Sequence, residues 1–132
     1  MSDAMPPAPN PTWMVWTGRV LSALPVLMLT ISGVIKLMKS EEVVKGMADL
    51  GYPEQVTIPL GIVELACTAI YVIPQTAVLG AILLTGYMGG TIATHVRLGE
   101  PFMVQALIGV VIWLGLYLRD RRLRELLPLR SL

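Results

Sequence analysis

A chain of 132 residues with 55% apolar content, a mean hydropathy of +0.69 and a formal net charge of +1 is too oily for a soluble domain and too short for two domains. One helical unit embedded in lipid is the expectation, with the lipid bilayer as its first partner. Arg119, Arg121, Arg122, Arg124 and Arg130 crowd the C-terminal end without interleaved aromatics, which excludes a nucleic-acid footprint and fits a membrane surface, and the single cysteine, Cys67, excludes an intramolecular disulfide or a dithiol motif.

Residues 1–12, MSDAMPPAPNPT, carry one acid and four prolines and predict a disordered tail. With no basic leader and a full-length hydrophobic segment behind it, this start does not resemble a cleaved signal peptide. The four-span domain is placed at 13–118, with spans at about 13–38, 56–73, 77–97 and 102–118. At 1.5 Å per residue their uncharged cores cover roughly 25 to 30 Å, the thickness of the hydrocarbon layer. The fold class expected is therefore all-α, a four-helix transmembrane bundle.

The first span begins at Trp13 and Trp16, suited to the headgroup level, and ends near Lys36 to Lys39, with Arg19 close enough to the surface to snorkel and Pro25 expected to bend the axis. Between spans one and two, residues 41–50 predict a short amphipathic helix with Val43, Val44, Met47 and Leu50 on one side, stopped by Gly51 and Pro53 and lying flat on the membrane surface. Pro74-Gln75-Thr76 leaves room only for a tight hairpin between spans two and three. The third span holds Gly86 and Gly90 at the GxxxG spacing, expected to pack helices within one subunit in preference to forming a dimer face. Gly99-Glu100-Pro101 signals the turn into span four, and residues 119–132 form a basic amphipathic tail that stops at Pro128.

An even number of spans puts both termini on one side. That side holds Arg19 and the five C-terminal arginines, against Lys36, Lys39, Lys45 and Arg97 on the other, so both termini are expected in the cytoplasm of a plasma or bacterial inner membrane.

Polar residues gather toward the non-terminal side. Glu64 sits inside span two, where a carboxylate needs a partner or a purpose, and Lys36 near the end of span one is within reach of it. Tyr87, Thr91 and His95 recur at i, i+4 and i+8 along one face of span three, and Gln105 opens span four. The half between Arg19 and Arg119 offers little to compare. Two readings stay open. In one, Lys36, Glu64, Tyr87, Thr91, His95 and Gln105 line a ligand pocket in which Glu64 and His95 are the candidates for proton handling, none being assigned as catalytic outright. In the other, Glu64 and Lys36 simply pin neighbouring helices, while His95 and Arg97 reach the headgroups. Cys67 and the eight methionines read as packing, and the scarcity of ligands argues against a metal, haem or iron-sulfur site.

SGVIKL at 32–37, LGYP at 50–53, LGIVEL at 60–65 and GYMGGTIATHVRLGEP at 86–101, in this order and spacing, resemble the DoxX-like family of small four-span membrane proteins over nearly all of 20–118. The resemblance implies an integral four-helix bundle and marks Lys36, Glu64 and His95 as family-typical positions. Relatives include a small subunit of a thiosulfate:quinone oxidoreductase and components of membrane oxidoreductase complexes, and distant animal relatives assist receptor assembly. The leading expectation is a non-autonomous oxidoreductase subunit with a pocket for quinone or a lipid-like ligand, with a protein partner or a second copy of itself. The alternatives are a non-catalytic assembly or scaffolding protein and, third, a small-solute or proton transporter.

Overall fold

Hydrocarbon offers a backbone no hydrogen-bond partner but itself, so apolar runs of this length close their bonds internally as helices. In the computed structural model, which describes residues 11–127, they form α1 (Thr12–Met38), α3 (Thr57–Val72), α4 (Ala77–Arg97) and α5 (Met103–Arg119), with α2 (Glu41–Asp49) between the first two and α6 (Arg121–Leu126) after the last. Residues 1–10 and 128–132 lie outside the described residues, and with them most of the proline-rich start, the Pro128 stop and Arg130. No strand occurs among the described residues, so the all-α expectation holds. Thr12–Met38, Glu54–Val72 and Pro74–Arg97 are long and apolar enough to cross a membrane. The fourth apolar helix, α5, has 17 residues, or about 25 Å of helix.

Around the bundle α1 packs between α3 and α5, and α4 packs between the same two from the opposite side. Sequential helices alternate in direction, so α1 and α4 run parallel across the diagonal. The close approaches are made by small residues. A Cβ on Gly18 would come within 2.7 Å of the Gly115 carbonyl, and one on Gly115 within 2.8 Å of the Ser22 amide, so α1 and α5 meet backbone to backbone. Gly33 and Gly61 do the same for α1 and α3, where a Cβ on Gly61 would lie 3.0 Å from the Gly33 carbonyl and 2.9 Å from Lys36 Cβ. Gly18, Ser22, Pro25, Leu29 and Gly33 form the buried stripe of α1, and the helix runs unbroken through Pro25.

The turns satisfy the helix ends. Pro74 opens a single 3-10 turn, and the Thr76 hydroxyl donates to the Ile70 carbonyl (2.8 Å), one of those orphaned at the end of α3. At the end of α2, Gly51 adopts a left-handed conformation (φ 88°) that only a residue without a Cβ takes without strain. Its N–H donates to Ala48 O (2.9 Å) and that of Tyr52 to Met47 O (2.9 Å), a Schellman turn.

The short amphipathic helix expected between the first two spans is α2: Met47 on its apolar side is buried and Val43, Val44 and Leu50 are half-buried, while Glu41, Glu42, Lys45 and Asp49 are exposed. After α5 the chain turns at Asp120, whose carboxylate caps α6 by accepting from the Arg122 N–H (2.9 Å). Arg124 donates to the Tyr117 and Leu118 carbonyls (2.9 Å each) and Leu123 is buried, so α6 folds back onto the end of α5.

Candidate functional site

Gly61 has no side chain to hold α1 away, so the Lys36 stem can run along α3 toward the next turn, where Glu64 points into the bundle. Lys36 Nζ donates to Glu64 Oε2 at 3.0 Å and to Ser32 Oγ at 2.8 Å. Glu64 is 2% exposed, and the pair forms one charged wall of a cavity of about 410 Å³ lined by residues of α1 to α5. Such a carboxylate is tolerable at this depth only with its cation in contact.

The opposite wall comes from α4. Tyr87, Thr91 and His95, one turn apart, all line the cavity. Thr91 donates its hydroxyl back to Met88 O (2.8 Å). His95 Nδ1 lies 2.7 Å from the Thr91 carbonyl, which can only accept, so Nδ1 carries a proton and a neutral ring keeps its lone pair on Nε2. That lone pair faces Gln105 Nε2 of α5 across 3.4 Å, while Gln105 Oε1 is buried without a partner. A buried acceptor without a partner carries a desolvation cost, about 1–3 kcal/mol, which a donor brought by a ligand removes. Apolar side chains, among them Met28, Leu60, Met88 and Ile108, complete the walls.

The roof was not foreseen from the sequence. The Schellman turn after α2 brings Met47 and Tyr52 over the cavity, and the Tyr52 hydroxyl donates at 2.7 Å to Thr94 Oγ1, whose own hydrogen goes to Gly90 O (2.9 Å). Arg97, exposed at the end of α4, donates to Leu50 O (2.8 Å) and ties that end to the roof. The signals in the sequence were the LGYP turn and Thr94, which shares the stripe of Tyr87 and Thr91 by helical spacing.

Gly86 and Gly90 do not pack helices within the chain. A Cβ at either would meet nothing within 4 Å, because both border the cavity, and the close contacts are made by Gly18, Gly33, Gly61, Gly115 and, on α4 itself, Gly80 against the Tyr71 backbone of α3. The terminal half also differs from its expected blankness. The Tyr71 hydroxyl donates to Ile112 O (2.7 Å) and bonds to Ser22 Oγ (3.0 Å), which also accepts the Arg119 Nε–H (3.2 Å), and the guanidinium lies 5.3 Å from the centre of the Tyr71 ring. Beside it, Pro74, Ala77 and residues 119–122 border a cleft of about 450 Å³ at the end of the bundle. Among the described residues no group of three or more His, Cys, Asp or Glu side chains is placed to hold a metal.

A family model described as the DoxX-like family matches residues 20–118, the segment from the middle of α1 to the end of α5. No curated protein and no solved structure matches the chain.

Proposed function

The chain belongs to the DoxX-like family of membrane proteins, and from that premise we propose that it is a non-autonomous membrane subunit whose cavity takes the polar head of a quinone or similar lipid-like molecule on behalf of an oxidoreductase complex. One observation carries this reading: a carboxylate paired with its lysine and an imidazole, beside a buried amide oxygen without a partner, face one cavity. Its volume of about 410 Å³ falls within the range of roughly 300–1,000 Å³ common for small-molecule sites.

The polar groups fit a ring whose two oxygens are carbonyls when oxidised and hydroxyls when reduced, the hydroxyl form supplying the donor that Gln105 Oε1 lacks. Lys36, Tyr87 and the Gln105 amide would donate to its oxygens, and Met28, Leu60 and Met88 would hold its faces. Quinone chemistry supplies a carrier of electron pairs and protons. The chain's own part is to exclude water, to orient the head between α3 and α4, and to keep a proton acceptor, His95 Nε2, and an ion pair, Lys36–Glu64, beside it. Electrons come from the partner complex. By the distribution of arginine and lysine, both termini lie in the cytoplasm and the roofed cavity opens toward the outer leaflet.

Purification in mild detergent, with identification of co-purifying proteins and extracted lipids, tests this directly. A quinone recovered with the wild-type chain, and depleted in the Glu64→Gln and His95→Ala proteins, is the expected result; equal recovery from all three removes these side chains from the site.

A second reading, a scaffold that binds partner helices through α4, is favoured by one observation: a Cβ at Gly86, Gly89 or Gly90 would meet nothing within 4 Å from the other helices. There Gly86→Leu would abolish partner co-purification and Glu64→Gln would not, the reverse of the order expected for the ligand site.

A further inference from the structure

The cavity does not end at its polar groups. Toward mid-membrane its walls turn apolar, and two of its side chains, Met28 of α1 and Ile108 of α5, also border a separate groove of about 210 Å³ on the lipid-facing side of the α1–α5 pair. The groove is lined by apolar side chains alone, with Leu24 and Pro25 on one bank and Leu107 and Val111 on the other. Leu24 and Pro25 stand near the middle of α1, so the groove lies at the level of the hydrocarbon core. Resting on the reading of the cavity as a site for a polar head, we propose that the ligand is a membrane-borne amphiphile with a long apolar chain, which passes between Met28 and Ile108 and lies in the α1–α5 groove.

The packing of α1 and α5 explains why the passage is here. The two helices touch backbone to backbone at Gly18 and Gly115, and the Tyr71 hydroxyl fills the space between Ser22 and the Ile112 carbonyl. Further along the pair, Met28 and Ile108 line both the cavity and the groove and so stand between the two. Methionine is unbranched and adopts several low-energy shapes, so Met28 can turn aside without moving a helix. At the other end of the cavity Tyr52 and Arg97 tie the turn after α2 to α4. The opening of about 740 Å³ between α1 and α2, which shares Ser32, Lys36 and Met47 with the cavity, is bordered by Lys36, Asp49 and Glu100, so an apolar chain is better matched by the groove lined with apolar side chains alone. Lys36, His95 and Gln105 lie on the roofed side and Met28 and Ile108 on the groove side, the polarity order of a head followed by a tail. In lipid a chain gains nothing by leaving water, so the groove acts through close packing and through fixing the head's orientation.

The test uses the full chain in lipid nanodiscs and two probes with the same ring, a dimethoxy-methyl-benzoquinone with and without a decyl chain. Leu107→Trp, at a lipid-exposed position, fills the groove, and Ile62→Trp on the lipid face of α3 serves as the control. The expected result is binding of the decyl probe weakened about tenfold by Leu107→Trp, binding of the bare ring changed by less than about twofold, and neither affected by Ile62→Trp. Leu107→Trp acting equally on both probes, or on neither, overturns the groove and leaves the cavity as a site for a head alone. Binding of neither probe to the wild-type chain overturns the cavity reading and the groove together. If Leu107→Trp does not fold, the wild-type chain with a chain-end diazirine probe decides: labels confined to the groove residues of α1 and α5 support the proposal, and labels spread over all lipid-facing sides overturn it.

Discussion

The two ends of the bundle treat their polar groups in opposite ways. At the terminal end, Ser22, Tyr71 and Arg119 bond to one another and to the Ile112 carbonyl between helices drawn together by Gly18 and Gly115. At the other end, Gly86 and Gly90 face space, Gln105 Oε1 has no partner, and the His95 Nε2 lone pair has only a long contact. Helices of the same composition thus give a closed lock and an open cavity. The difference teaches that glycine spacing does not define a contact; which face meets a neighbour does. A satisfied network rigidifies, whereas a half-satisfied one is costly unless something else completes it. That asymmetry, more than the presence of a buried acid, separates the structural polar groups from those proposed to bind a ligand.

The largest effect expected is at the ion pair. Lys36→Met leaves Glu64 buried without its cation and should lower stability by about 3–5 kcal/mol, whereas Lys36→Met combined with Glu64→Leu should recover most of the loss. Unfolding in mild detergent measures both. A double variant that is stable but retains quinone binding would make the pair a purely structural bolt and erase the contrast between the two ends.

Next comes the lock. Gly115→Ala forces a methyl against Ser22 Oγ and the Ser22 backbone, so the helices must part, at a cost of about 1–3 kcal/mol. Tyr71→Phe removes the hydroxyl that joins α3 to α1 and α5 and should cost about 1 kcal/mol, since it leaves the Ile112 carbonyl without that donor. Both should leave ligand affinity intact, because neither residue borders the cavity. A binding defect in Tyr71→Phe would join the two ends into one functional unit.

How much of this was legible in the sequence follows from which forces are local. Run length and hydropathy dictate the spans, and Gly51 and Gly99, both left-handed, mark the ends of α2 and α4 as glycines do. The Tyr87, Thr91 and His95 stripe is local too, being one helix face. The contact of Lys36 with Glu64 needed only the up-and-down order of the spans. What did not show was everything set by the pairing of faces: Ser22, Tyr71 and Arg119 are ordinary residues far apart in the chain, and no spacing announces that they meet. The GxxxG of α4 misled for the same reason, while the small-residue stripe of α1, with Gly18 and Ser22 at the same spacing, went unread. Tyr52 and Thr94 were hidden because the roof depends on where α2 comes to rest.

The smallest effect is the sharpest contrast with the lock. Gly86→Ala places a methyl where nothing lies within 4 Å, the opposite situation to Gly115, and alanine is the better helix former by about 1 kcal/mol. The substitution should therefore raise stability slightly, by up to about 1 kcal/mol, while the same chemical change at Gly115 lowers it. Because Gly86 borders the cavity, the added methyl also narrows the site, so quinone affinity should fall even as the unfolding midpoint rises. Opposite movements of stability and affinity are the signature of a wall kept bare for an occupant. If Gly86→Ala destabilises the purified protein as Gly115→Ala does, the face of α4 is covered by another helix, and the open end of the bundle is an interface rather than a cavity.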